Sequence, residues 1–263
     1  TFIYAKNENK ITKLYVDASI SDMVRGSGFS KEGYPVSSIF SIPFRGLNSE
    51  GLPTFADSNG NTTIDGIRFY QRDNLDFLSY SGTTKPTDVG SLGNLFTYKG
   101  LSLNVLLTYS FGNVLRLPAS FKHKYINDSP TSPSDMVNMP KEFKNRWVQP
   151  GDEHRTNIPA IASAYQLYAM PTLEYAYTAY NYSDVRIAKG DFIRLKEISL
   201  AYDFDKETLR NMKIKRLSFK LQGTNLFLLY ADKKLNGADP EFSVSSSFIP
   251  TPKQLTFSIR VGL

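Results

Sequence analysis

The side chains best suited to hold a ligand fall between Arg146 and Tyr182. Trp147 and the tyrosines Tyr165, Tyr168, Tyr175, Tyr177, Tyr180 and Tyr182 lie there in a long stretch rich in Pro, Asn and Ser. Flat aromatic faces suit sugar rings, and phenol hydroxyls bond polar ligands. The same residues also serve loop packing, partner interfaces and membrane belts, so both readings stand. A second cluster, Asp57, Asn59, Asn61 and Asp65 in "DSNGNTTID", has an oxygen-rich spacing. Its glycine is misplaced for a calcium loop and no closing Glu follows. Asn59-Gly60 reads instead as a turn, and no metal is assigned. His123 and His154 are the only histidines and cysteine is absent, which leaves no zinc ligand set. No nucleophile elbow, phosphate loop or dinucleotide fingerprint is present, so neither an enzyme nor a cofactor is expected.

The elements that carry these residues are strands. The chain has 263 residues, a net charge of +6 and a mean hydropathy of -0.31. No apolar run approaches the ~18 residues of a spanning helix, which does not exclude a membrane β-barrel, whose strands alternate faces. There is no basic run of the kind that binds nucleic acid, and the opening "TFIYAKNENK" has no secretory signal. "TFIYAK" and "ITKLYVD" read as a hairpin turning near Asn7 to Lys10, and Ser21 to Gly33 as loop. Pro35 and Pro43 make "YPVSSIFSIPFRG" an edge or irregular strand. "GLNSEGLPTFADSNGNTTIDG" is turn chemistry, and "IRFYQ" reads as a strand end.

The clearest block is "NLFTYKGLSLNVLLTYSFGN", two strands meeting at Lys99-Gly100. Leu101, Leu103, Val105, Leu107, Tyr109 and Phe111 share one face, and Ser102, Asn104, Thr108 and Ser110 the other, with Leu106 as the exception. After Val114 to about Lys189, in which "IPAIASAYQLYAM" can hold a helical turn or two, strands resume. Ile198, Leu200, Tyr202 and Phe204 alternate with Ser199, Ala201 and Asp203, and Leu217, Phe219 and Leu221 with Ser218, Lys220 and Gln222. Asp205 is placed to cap a short helical turn. The last strand sets Leu255, Phe257, Ile259, Val261 and Leu263 on one face. About eight strands are expected.

Connectors alternate between short (Lys99-Gly100, Asp205 to Lys213) and long (Val114 to Lys189, Ala231 to Pro252), as in outer-membrane barrels. Tyr202 and Phe204 then fall at one membrane interface, and Phe227 and Tyr230 at the other. The set expected to face lipid is Leu101, Leu103, Val105, Leu107, Ile198, Leu200, Leu217, Phe219, Leu221, Phe257, Ile259 and Val261. The fold class is all-β: an antiparallel transmembrane β-barrel segment with long external loops. A soluble β-sandwich that binds glycans alternates in the same way. A complete eight-stranded barrel and a structural or adhesion barrel without transport also remain open.

Several pieces, in order, resemble the C-terminal part of SusC/RagA-type TonB-dependent transporters. They are "EGYPVSSIF", "GLNSEGLPTFAD", "FTYKGLSLNVLLTYSFGN", "RWVQPGDEHRTNIP", "GDFIRLKEISLAYDF" and "LSFKLQGTNLFLLY", followed by the alternating terminal strand. Leu263 departs from the aromatic usual at the end of outer-membrane barrels. The resemblance implies that residues 1–263 are the C-terminal portion of a longer barrel, 22-stranded in this size class. Residues 114–189 would be its long external loop region, and the plug domain and early strands would lie elsewhere. It also implies import of an oligosaccharide or oligopeptide across a Gram-negative outer membrane by a multi-pass protein. The implied partners are the rest of the transporter, a SusD-like surface lipoprotein, the TonB complex acting through the N-terminal part, and outer-membrane lipid.

Overall fold

The computed structural model describes residues 1–25, 31–65, 67–121, 140–210, 214–242 and 252–262. His123 and Leu263 lie outside them, as do parts of the stretches 21–33, 205–213 and 231–252. In chain order the elements are β1 (Phe2–Lys6), α1 (Ile20–Arg25), β2 (Ser38–Ser41), β3 (Phe44–Leu47), β4 (Pro53–Ala56), β5 (Thr62–Thr63), β6 (Ser79–Thr83), β7 (Asp88–Tyr98), β8 (Leu101–Phe111), β9 (Val114–Arg116), α2 (Ala164–Ala169), α3 (Leu173–Asn181), β10 (Ile187–Lys189), β11 (Phe192–Asp203), α4 (Lys206–Arg210), β12 (Arg216–Ala231) and β13 (Gln254–Gly262). They divide between two units. One holds residues 1–8, 85–115 and 189–263; the other holds 9–84 and 116–188.

The first unit is a six-stranded antiparallel meander, β1-β7-β8-β11-β12-β13. Directly opposed residues share a face, so the register converts the sequence alternation into rows. One row is Tyr98, Leu101, Tyr202, Phe219 and Ile259; the next is Phe96, Leu103, Leu200, Leu221 and Phe257. Towards the other end come Phe2, Leu92, Leu107, Leu195 and Phe227, then Tyr4, Gly90, Tyr109, Ile193 and Tyr230. Leu217 and Val261 pair on the same face, as do Val105 and Ile198. All twelve residues expected to face lipid therefore lie on a single face. Tyrosines bound it at both ends, eight residues apart on β8, or ~26 Å along the strand at ~3.3 Å per residue. Phe96, Tyr98, Phe227, Leu255, Phe257 and Ile259 are each more than half exposed on it. A β-sandwich would bury these side chains between its sheets, and their exposure speaks against that alternative.

Three irregularities keep the rows in phase, one of them where Ile193 and Arg194 oppose Tyr230 and Leu228 and leave Leu229 unpaired on that side. In β11, Ile193 and Leu195 have the opposite parity to Ile198, Leu200 and Tyr202. A bulge absorbs the extra residue: Leu195 and Glu197 oppose the adjacent Leu107 and Leu106, leaving Lys196 unpaired on that side. In β12, the left-handed Asn225 (φ 53°) marks a second bulge between the pairs Glu197–Thr224 and Leu195–Phe227. Gly223 leaves room for Leu226, whose methyl group would sit 2.8 Å from a Cβ there. This is the physical content of "GTNLF": glycine for space, and asparagine for a conformation that few side chains adopt.

The hairpin at Lys99-Gly100 is present, with both residues at positive φ (45° and 81°) as a tight two-residue turn requires. Asp205 accepts a bond from the Thr208 amide at 2.7 Å and caps α4. The amino-terminal hairpin is not formed. β1 pairs with β7, and residues 11–17 form no strand. Its "NENK" is the start of a connector, Asn7 to Thr87, that joins β1 to β7. All three long connectors of the sheet leave from the Tyr4–Tyr230 end, and both short ones from the Tyr98–Tyr202 end.

The second unit is folded where much irregular chain was expected. Residues 9–84 and 116–188 fold around one core, in which Ile20, Ile42, Leu52, Phe55, Leu173, Tyr177 and Tyr180 are almost fully buried. α1 stands where loop was expected. Its start is set by a reciprocal cap, in which the Ser19 amide and hydroxyl bond Asp22 at 2.9 and 2.7 Å. That bonding to Ser19 holds the Asp22 carboxyl below its ordinary range. β4 occupies the stretch read as turn, paired with β3 and β5, and Ile67–Gln71 form no strand.

Candidate functional site

The tyrosine-bearing stretch is helical, and a helix sorts its residues by 3.6-residue periodicity. In α3, Leu173, Ala176, Tyr177, Tyr180 and Asn181 are buried at spacings of three and four. Tyr177 donates to the Ala160 carbonyl at 2.7 Å, and its ring lies 4.7 Å from that of Phe121. Tyr180 packs edge-on against Phe44 and Phe121. With 1 % and 2 % exposure, Tyr177 and Tyr180 are core residues and leave the set of candidate ligand contacts. Alternation in twos could not separate them from Tyr175. Helical spacing does, and α3 was readable from "LEYAYTAYN" on that period.

Tyr175 stays on the surface of α3, and Tyr165 and Tyr168 project from α2. A capping box fixes the start of α2: the Ser163 amide donates to Gln166 at 2.9 Å, and the Gln166 amide donates back to Ser163 Oγ at 3.2 Å. Leu167 and Met170 turn toward the core, which leaves Tyr165 and Tyr168, three residues apart, facing out. Tyr182 is half-buried, with Arg116 over its ring at 5.5 Å. Trp147 is also structural. Its indole donates to Glu153 at 2.9 Å and lies flat on Gly51, where a Cβ would meet the ring at 2.4 Å. Gly51 also has φ 74°, so glycine is required there twice over. The indole bond, with the amides of Glu153 and Gly151, lowers the Glu153 carboxyl. Asp152 accepts from the Val148 and Gln149 amides at 3.1 Å, and "WVQPGDEH" thus closes on itself. His154 is exposed within it.

Asp57 spends its carboxylate on the Asn59 and Asn61 amides at 2.9 and 2.8 Å, and Asp65 accepts from Thr63. The stretch is a turn, and among the described residues no group of His, Asp and Glu is arranged to hold a metal.

Charge inside this unit is tightly held. Arg116 donates to the carbonyls of Ser183 and Phe40 and to Ser41 Oγ at 2.9–3.2 Å. Burial pushes its guanidinium down to about 10. Arg186, 3 % exposed, meets Glu142 at 2.6 Å and the Pro118 carbonyl at 2.6 Å. Burial pushes the Tyr180 phenol up to about 12, and Tyr177 shifts in the same direction. A raised acid pKa means that the unfolded chain ionises first, near pH 10. The phenols' contribution to stability is therefore complete below pH 10 and falls as pH rises toward 12. Tyr180 contributes about 3 kcal/mol to that fall, at ~1.4 kcal/mol per unit; Tyr177 adds to it, and the lowered Arg116 guanidinium opposes it over the same range. The expected result is a cooperative loss of this unit between pH 10 and 12, followed by Trp147 fluorescence. Tyrosinate absorbance rising only as ordinary surface phenols do would contradict it.

An antiparallel meander with one continuous apolar face, aromatic rows at both ends and long connectors from one end is a transmembrane β-barrel wall. The comparisons agree. Over 98 % of its length the chain superposes on about 26 % of a chain in the RagAB peptide transporter (TM-score 0.68, 20 % identity). It matches likewise the RagAB peptide importer in its open-open (TM-score 0.68) and closed-closed (TM-score 0.67, 21 % identity) states. In sequence it is similar to TonB-dependent receptor P39 of Formosa agariphila, with 26 % identity over 188 residues. That match covers 71 % of this chain and 15 % of the relative. No protein-family model matches. Fold and sequence thus support the likeness to SusC/RagA-type TonB-dependent transporters, and the chain spans about a quarter or less of the relatives it matches.

Proposed function

We propose that this chain forms the C-terminal wall and long loops of an outer-membrane TonB-dependent importer of a large nutrient. The observation that carries the reading is the exposed apolar face of a single-layer sheet. Leaving a Leu or Phe in water forfeits ~1.5–3 kcal/mol per side chain. A face of some twenty such residues is tenable only against another apolar phase, and lipid supplies one. The polar face, with Ser102, Asn104, Ser199, Gln222, Thr256 and Ser258, then borders a hydrated interior. A sheet in lipid must have its edges paired, so β1 and β13 would join further strands of a longer protein that also supplies the plug and the TonB contact. The long connectors would face outward, where a SusD-like lipoprotein would sit. The cargo is an oligosaccharide or an oligopeptide. The likeness to a peptide transporter favours neither, because at this identity it speaks for the fold.

Photolabelling with a bilayer-confined reagent tests the face assignment. Phe219 and Ile259 are expected to be labelled, and Ser218 and Ser258 spared; equal labelling of both pairs would refute it. For cargo, the exposed Tyr165, Tyr168 and Tyr175 are the contacts proposed on this chain. Their combined replacement by alanine is expected to lower uptake at limiting cargo by about tenfold or more, at ~1 kcal/mol per aromatic contact. The transporter's abundance should be unchanged. Unchanged uptake would exclude them.

A further inference from the structure

We propose that the connector Asp232–Phe242 is an internal strap, clipped to the polar face of the sheet by Arg194, that sets the largest cargo able to pass along that face. This rests on the reading of the polar face as the border of a conduit.

Arg194 lies between Ile193 and Leu195, both in apolar rows, so its own side chain belongs to the polar face, opposite Thr108 and Leu228. An arginine on a wetted wall would be exposed, yet Arg194 is only 5 % exposed. Its Nη2 lies 2.5 and 2.6 Å from the two carboxylate oxygens of Asp239 and 3.3 Å from Glu241. Both acids belong to the connector that leaves β12. The connector therefore folds back over the polar face instead of extending beyond the end of the sheet. Its first turn is fixed as well. Asp232 accepts from the amides of Lys189 at 2.7 Å and Lys234 at 2.9 Å, and Leu235 is buried. The grip is one-edged. Asp239 is held through Nη2, while the buried Nε has no acceptor. A guanidinium held this way makes less than the paired fork of which it is capable.

This chain has no native cysteine, so single reporters in it can be read in the full protein carrying it, with any cysteine elsewhere replaced by serine and the protein held in lipid nanodiscs. Thr108→Cys reports the polar face beside Arg194, and Leu107→Cys the apolar face. A small charged methanethiosulfonate and a PEG-maleimide of several kilodaltons are compared. Arg194→Met is expected to raise the PEG-maleimide rate at position 108 by about tenfold or more, while the small reagent changes by less than about twofold. Asp239→Asn with Glu241→Gln should do the same without altering the wall. Arg194→Asp combined with Asp239→Arg should restore slow labelling. PEG-maleimide rates unchanged in both opened variants would overturn the strap. If the small reagent reaches position 107 as fast as position 108, the face assignment itself fails, and the strap fails with it.

Discussion

Deleting Ser199 is expected to reduce membrane-assembled protein by more than about tenfold, whereas deleting Lys196, three residues away, should leave most of it. Ser199 lies in the regular part of β11, where Ile198, Leu200 and Tyr202 pair with Val105, Leu103 and Leu101. Losing one residue there moves Leu200 and Tyr202 to the polar face and presents Ala201 and Asp203 to the apolar one, since the side-chain period is two. Each large apolar side chain misplaced costs ~1.5–3 kcal/mol, and an acid on the lipid side adds to that. The sum exceeds the ~1.4 kcal/mol that changes an equilibrium tenfold. Lys196 is the residue in excess at the bulge against β8. Without it, Ile193, Leu195, Ile198, Leu200 and Tyr202 stay on one face, and Leu195 and Glu197 still meet Leu107 and Leu106. Heat-modifiable protein in the outer-membrane fraction is the measure. Equal loss from both deletions would show that the apolar rows do not govern assembly.

Glu142→Ala is expected to destabilise the second unit by about 3–5 kcal/mol, the usual cost of stranding one member of a buried ion pair. Glu142 bonds Arg186 through one oxygen and accepts from the Ser120 hydroxyl through the other. Arg186 would keep the Pro118 carbonyl and the face of Tyr180 at 5.6 Å, but no negative charge. Trp147, the single tryptophan of this chain, reports urea unfolding of the unit. Glu142→Ala combined with Arg186→Met should recover much of the loss, because the penalty belongs to the uncompensated charge and not to a missing contact. A shift under about 1 kcal/mol for the single variant would mean that water reaches Arg186.

How much of this was legible in the sequence depends on the range of the interaction concerned. Alternation in twos belongs to each strand alone. The apolar face of β8, the apolar series of β11, β12 and β13, the Lys99-Gly100 turn and the Asp205 cap were all readable from neighbours a few residues away. The parity change inside β11 was visible too, as two apolar series of opposite phase on either side of Lys196-Glu197, though only pairing with β8 shows it to be a bulge. The partner of β1 was not readable. The polar "NENK" satisfies a hairpin turn locally, and only contacts some eighty residues away select β7 instead. The same limit hid the second unit. Its core joins Phe40, Phe55, Phe121 and Tyr180 from two distant segments, and neither segment has an apolar face long enough to announce itself. Sequence alone determined which residues must share a face, because backbone geometry fixes that residue by residue. Tertiary structure decided what packs over Tyr177 and Tyr180, and where Arg194 finds its acids, because burial and ion pairing depend on chain brought from far away.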